Sequence, residues 1–121
     1  MSAGLWLAVV AVGGVGSIGR FLVDGLISNR AGSEFPFGTL AVNLSGSLIL
    51  GLLTGLHVTG DALLIEGTAT IGSYTTFSTW MLESHRLAED GEFNLAVLNL
   101  GVSLVLGFGA ALLGKTIGAH L

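Results

Sequence analysis

Four stretches of this chain carry no Asp, Glu, Lys or Arg, at residues 1–19, 35–60, 67–82 and 93–114, and they are 19, 26, 16 and 22 residues long. Each is mainly apolar. A bilayer hydrocarbon core about 30 Å thick is crossed by about 20 mainly apolar helical residues, so the four runs read as four transmembrane helices. Four crossings use nearly all of the 121 residues and leave no room for a soluble catalytic module. The expected fold is all-α and integral to a membrane: a single transmembrane domain over residues 1–121 with helices at about 5–27, 37–58, 62–87 and 93–118. Residues 5–19 resemble the apolar part of a signal peptide, but no Lys or Arg precedes them and no small-x-small cleavage site leads into a soluble domain, so they are read as a helix of the mature protein.

The links agree with this division. Helix 1 ends in the polar stretch from Ser28 to Glu34, and Pro36, the only proline, opens helix 2 where its missing N–H costs least. Thr59, Gly60 and Asp61 form the next turn, and Glu89 to Glu92 the last. The 20 glycines suit helices in lipid, which associate through close packing of small residues rather than through the hydrophobic effect. Ser47, Gly51 and Gly55 fall on one stripe of helix 2, while Ser103 with Gly107 and Gly114 with Gly118 repeat the four-residue spacing in helix 4. A net charge of −4 without a basic cluster argues against nucleic acid. The absence of cysteine excludes disulfides, thiolate catalysis and Cys-ligated metals. His57, His85 and His120 are far apart at helix ends, no Ser, His and Asp arrangement shares a site, and the chain reads as a non-enzyme.

Polar residues inside the spans carry the chemistry. Gly14, Gly16 and Gly19 form G-x-G-x-x-G, but a dinucleotide site needs a preceding strand and a soluble βαβ unit. The run reads instead as a helix thinned by glycine so that Arg20 approaches a partner helix. An arginine at a helix centre costs about 3 kcal/mol to insert, and less near the end, so Arg20 is either a functional residue or an anchor for carbonyls at the helix end. Asn43 lies about four residues into the hydrocarbon and shares a face with Ser47; its amide needs a helix or a polar pathway as partner. Six Ser or Thr residues lie between Thr68 and Ser78, and Gly72 to Thr76 mixes glycine with β-branched residues. This predicts a mid-membrane break in helix 3, tolerated only where freed carbonyls are buried in protein or bind something. Beyond it, Thr76, Thr79 and Glu83 share one face, and Phe77 and Trp80 a neighbouring one.

Three segments together resemble a known family. Gly13 to Arg20, Gly38-Thr39-Leu40-Ala41-Val42-Asn43, and Gly72 to Thr79 followed by Glu83 are similar to the bacterial and archaeal fluoride channels known as Fluc or CrcB, and the likeness runs through all four helices in order. The resemblance implies a fluoride-selective channel that passively exports fluoride across the cell membrane, built as an antiparallel dual-topology dimer with two pores and a central sodium ion. It implies that the carbonyls of Gly72 and Thr75 hold the sodium, that Phe77 and Trp80 line the ion path, and that Asn43 is the pore-lining amide. It further implies that Glu83 is a vestibular acid, that Ser78, Thr79 and Ser103 form a hydroxyl track, and that Arg20 is the arginine near the end of helix 1. A small, strongly hydrated anion needs close-set donors, and hydroxyls, amides and the positive edges of aromatic rings all qualify.

Two positions depart from the family pattern. Trp80 stands where a second phenylalanine is usual, and Asn99 where a tyrosine is common. The expectation is that the Trp80 indole N–H donates to the anion while Asn99 keeps a polar contact. Alternatively, the chain is half of a heterodimer whose paralogous partner keeps the usual aromatics. Lys115 at one end, against Arg30, Arg86 and Arg20 at the other, gives the positive-inside rule little to act on, which suits insertion both ways up. The rival readings are a small multidrug-type dual-topology transporter, which would want an acid deep in helix 1 where residues 1–19 have none, and a non-transporting membrane subunit, which would not explain a polar, broken helix 3. Asp24 and Glu66 lie near span ends and are read as solvated.

Overall fold

A computed structural model describes residues Met1–Leu121, and every regular element in it is helical. Helix α1 is Ala3–Ala31 and α2 is Phe37–Gly55. The pieces Gly60–Ala62, Leu63–Ile71 and Gly72–Tyr74 follow one another without a gap and form α3, residues 60–74. Helix α4 is Phe77–Glu89 and α5 is Phe93–Ala119. Helices α1, α2 and α5 are each long and apolar enough to cross a membrane. The fourth crossing is shared by α3 and α4, which are parted at Thr75 and Thr76, both with extended backbone.

The ends follow from local chemistry. Ser2 caps α1 by accepting from the Leu5 N–H, and Gly32, at φ 58°, ends it in the left-handed conformation that glycine tolerates. Helix α2 starts directly after Pro36 and stops at Gly55, three residues before the expected Val58. His57 takes φ 59° there, and the N–H groups of His57 and Val58 return to the carbonyls of Thr54 and Leu53, a paired closure that caps the helix without glycine.

Helix α3 differs from an ordinary span. Residues Leu63–Ile71 form a wide π-type helix, and the Thr70 hydroxyl reaches back five residues to the Ile65 carbonyl at 2.8 Å. Such wide turns are rare and gather at functional sites. Helix α1 lies against this stretch, and Gly16 is the point of contact: a Cβ there would overlap the Thr70 carbonyl and the Ser73 hydroxyl. The G-x-G-x-x-G run therefore lies wholly within a packed helix.

The closest packing joins α2 to α5. A Cβ on Gly51, Gly55, Gly114 or Gly118 would overlap a backbone carbonyl of the facing helix, from Ala111, Lys115, Leu48 and Leu52 respectively. Gly107 is looser, its Cβ position 4.0 Å from the Ser47 hydroxyl. Only 18 of the 121 residues are buried, and the buried apolar ones are few: Val42, Ala69, Ile71, Leu87 and Ala96. Large apolar side chains such as Leu7, Phe21, Val105 and Phe108 face outward. The surface is matched to lipid, where outward leucine and phenylalanine cost nothing. The chain is a multi-pass membrane protein.

Candidate functional site

The break is held open by one side chain from the neighbouring helix. Asn43 on α2 places its amide against Thr76: Nδ2 donates to the Thr76 carbonyl at 3.0 Å, and the Thr76 N–H donates to Oδ1 at 2.8 Å. The amide thus pairs with both polar groups of one peptide residue, as a neighbouring strand would. The Thr76 hydroxyl accepts from the Thr79 N–H at 3.2 Å and caps α4. In an unbroken helix those two N–H groups would bond to the carbonyls four residues back, Gly72 and Thr75. Their engagement with Asn43 and Thr76 therefore frees the carbonyls of Gly72 and Thr75, two hard oxygens on the same stretch of chain. Tyr74 completes the frame, its phenol 2.9 Å from the Ser45 hydroxyl.

Beside the break lies a groove of about 610 Å³. Of the expected site residues, it brings together Asn43, Gly72, Thr75, Phe77, Trp80 and Ser103, and it is also lined by Thr76 and by the apolar Leu104 and Phe108. The Phe77 and Trp80 rings meet edge to face, centroids 5.6 Å apart at 78°, the arrangement that aligns a positive ring edge with a negative face. Phe77 is 70% exposed and Phe108 70%, so the groove has an open apolar flank.

The remaining expected residues lie elsewhere. Thr79 points into a second cavity, of about 200 Å³, with Arg20, Phe21, Asp24, Thr39, Val42 and Thr76. Glu83 lines a third, of about 260 Å³, with Glu34, Arg86, Asp90 and Glu92. Two residues link the three. Thr76 lines both the groove and the second cavity, and Thr39 lines the second while its hydroxyl donates to Glu83. The polar line from the groove to the end of the bundle thus runs through Thr76, Thr79, Thr39 and Glu83. Ser78 is exposed and lines none of these cavities, because one residue's rotation along α4 turns it away from Thr79.

Two readings change, those of Trp80 and Asp24. The Trp80 indole N–H does not face the groove as a free donor; it donates to the Asn99 carbonyl at 3.2 Å. Asn99 does keep polar contacts: it is 1% exposed and bonds to Ser84 and Ser103. Asp24 is half-buried, accepts from Ser28 at 3.1 Å and shares the cavity of Arg20, whereas Glu66 is exposed. The Thr39–Glu83 pair has only one sequence signal, the place of Thr39 four residues before Asn43, which puts both on one face of α2.

Comparison with known proteins bears directly on this arrangement. Residues 7–115 match a family described as CrcB-like protein, Camphor Resistance (CrcB). A Mycobacterium tuberculosis protein named Fluoride-specific ion channel FluC 2 is 50% identical over 117 residues, covering 97% of this chain and 93% of the relative. Fluoride-specific ion channel FluC 1 of Symbiobacterium thermophilum is 40% identical over 119 residues, 93% of this chain and 96% of its own length. Fluoride-specific ion channel FluC of Maridesulfovibrio salexigens is 36% identical over 118 residues, 93% of this chain and 94% of the relative.

Proposed function

The chain belongs to the CrcB-like family, and from that premise we propose that it is a fluoride-specific ion channel that lets fluoride leave the cell passively across the cell membrane. The observation that carries this reading is the Asn43–Thr76 bridge across a broken membrane helix, beside a groove lined by aromatic rings and hydroxyls. A passive span has no use for such a break, whereas an ion path needs polar groups at mid-depth. Asn43 Nδ2 carries two hydrogens and gives one to Thr76, which leaves a second for an anion. Phe77 and Trp80 offer ring edges, and the hydroxyls of Ser103, Thr76 and Thr79 continue the donors toward Arg20, while the Thr39 hydroxyl gives its proton to Glu83. These are many weak partners rather than one strong one, as conduction requires.

A second copy of the chain, inserted antiparallel, fits the open flank of the groove, where Phe77, Leu104 and Phe108 would otherwise meet lipid beside polar groups. A paralogous subunit is the alternative occupant. The freed carbonyls of Gly72 and Thr75 suit a sodium ion: uncharged hard oxygens in a site without carboxylates. Two carbonyls are a small set for such an ion, so each of two subunits would supply its pair. The ion's positive charge would offset the negative field of the carbonyls.

The test is efflux from liposomes holding the purified chain, with chloride and a cationic dye as controls. Fluoride-selective efflux by this chain alone is expected, and it would also make a heteromeric partner unnecessary. Verified incorporation without fluoride flux would overturn the channel reading.

A further inference from the structure

Asn99 touches neither the groove nor either of the other cavities, but three of its groups are engaged with residues that do or that flank them. Its carbonyl accepts from Trp80 Nε1 at 3.2 Å, its Nδ2 donates to the Ser84 hydroxyl at 2.8 Å, and its Oδ1 accepts from the Ser103 hydroxyl at 3.4 Å. Ser84 donates in turn to the Trp80 carbonyl at 2.9 Å. Asn99 thereby holds the tip of the tryptophan directly, at the indole nitrogen, and reaches its base only through Ser84 of the tryptophan's own helix.

We propose that Asn99 is a positioning residue of the ion path, which fixes α4 against α5 so that the Trp80 ring and the Ser103 hydroxyl face the same groove. A buried amide with partners on two helices specifies one register, because any slip leaves its polar groups unsatisfied. The two side-chain bonds differ in strength. The bond to Ser84 is short and firm, whereas the 3.4 Å bond from Ser103 is well beyond the usual O–H···O length of about 2.7–2.8 Å. Asn99 Oδ1 is a resting acceptor for the Ser103 proton, which turns from it to a small anion at little cost. Trp80, its N–H engaged, presents only ring carbons and their hydrogens to the groove.

The flux part of the test rests on the channel reading; the spectroscopic part does not. In a Trp6→Phe background Trp80 is the only remaining tryptophan, and its time-resolved anisotropy reports whether the ring is held. Asn99→Leu, similar in size but without hydrogen bonds, is expected to add a fast depolarising component to Trp80 and to lower fluoride efflux about tenfold, the equivalent of one buried hydrogen bond to an uncharged group. Ser84→Ala, the milder change should Asn99→Leu fail to fold, is expected to move both readouts the same way by about threefold. Adding Ser103→Ala to Asn99→Leu is expected to cost no further efflux, since the placement of Ser103 is already lost. A Trp80 ring as immobile in both variants as in the parent would overturn the proposal, and so would losses from Asn99→Leu and Ser103→Ala that simply multiply. If the parent passes no fluoride, the channel reading falls while the anisotropy still decides the role of Asn99.

Discussion

The α2–α5 seam and the α3–α4 break both rely on small residues, but they use them for opposite ends. In the seam, Gly51, Gly55, Gly114 and Gly118 bring two regular helices so close that a single Cβ would overlap the facing carbonyls. Every backbone hydrogen bond stays within its own helix, and closeness itself is the stabilising interaction. At the break, small and β-branched residues let the backbone leave the helix, and a side chain from α2 must then satisfy the Thr76 peptide groups. An added Cβ at Gly72 would meet nothing within 4 Å, so that glycine leaves open the space beside the groove. The seam is rigid by shape and the break by hydrogen bonding. The same helix α2 supplies one face to each, which places the site against the most closely packed seam of the molecule.

Substitutions can break this comparison, starting with the seam. Gly114→Leu forces a branched side chain into the Leu48 backbone and is expected to cost at least about 3 kcal/mol, seen as loss of a monodisperse peak in detergent size-exclusion; a well-folded Gly114→Leu protein would mean that the seam opens cheaply. Asn43→Leu leaves the N–H and C=O of Thr76 without partners and is expected to cost about 2–4 kcal/mol and to abolish fluoride efflux, with thermal unfolding and flux as readouts. Asn43→Asp, which keeps an acceptor for the Thr76 N–H, should unfold at a temperature between that variant and the parent. Thr76→Val removes the cap of α4 and is expected to cost about 1 kcal/mol, while Thr76→Ser retains it; equal melting temperatures for the two would show that the cap is unimportant. Gly25→Ala, where a Cβ meets open space, should stay within about 1 kcal/mol of the parent and lean toward stabilisation, since alanine favours helix.

Much of this comparison is legible in the residues. The break between Tyr74 and Phe77 falls inside the glycine and threonine run that marks it, because β-branching and missing side chains weaken a helix locally. The seam follows from four-residue spacing, since positions i and i+4 share a helical face whatever the helix packs against. The wide turns of residues 63–71 do not announce themselves. They widen α3 where Gly16 of α1 meets the Thr70 carbonyl, a contact between residues far apart in the chain. The Trp80 N–H has its partner for a related reason: a donor's partner is set by what stands opposite, and α5 places the Asn99 carbonyl there.

Charge and hydropathy therefore determined the membrane environment and the four crossings, and the glycine and β-branched run determined the break, since burial in lipid and helix propensity act residue by residue. Only the tertiary structure decided that Asn43 bridges the break, that Thr39 meets Glu83, and that Asn99 grips Trp80 while Ser78 is left outside. Those pairings depend on the rotation and register of one helix against another, which no single residue's hydropathy or helix propensity encodes.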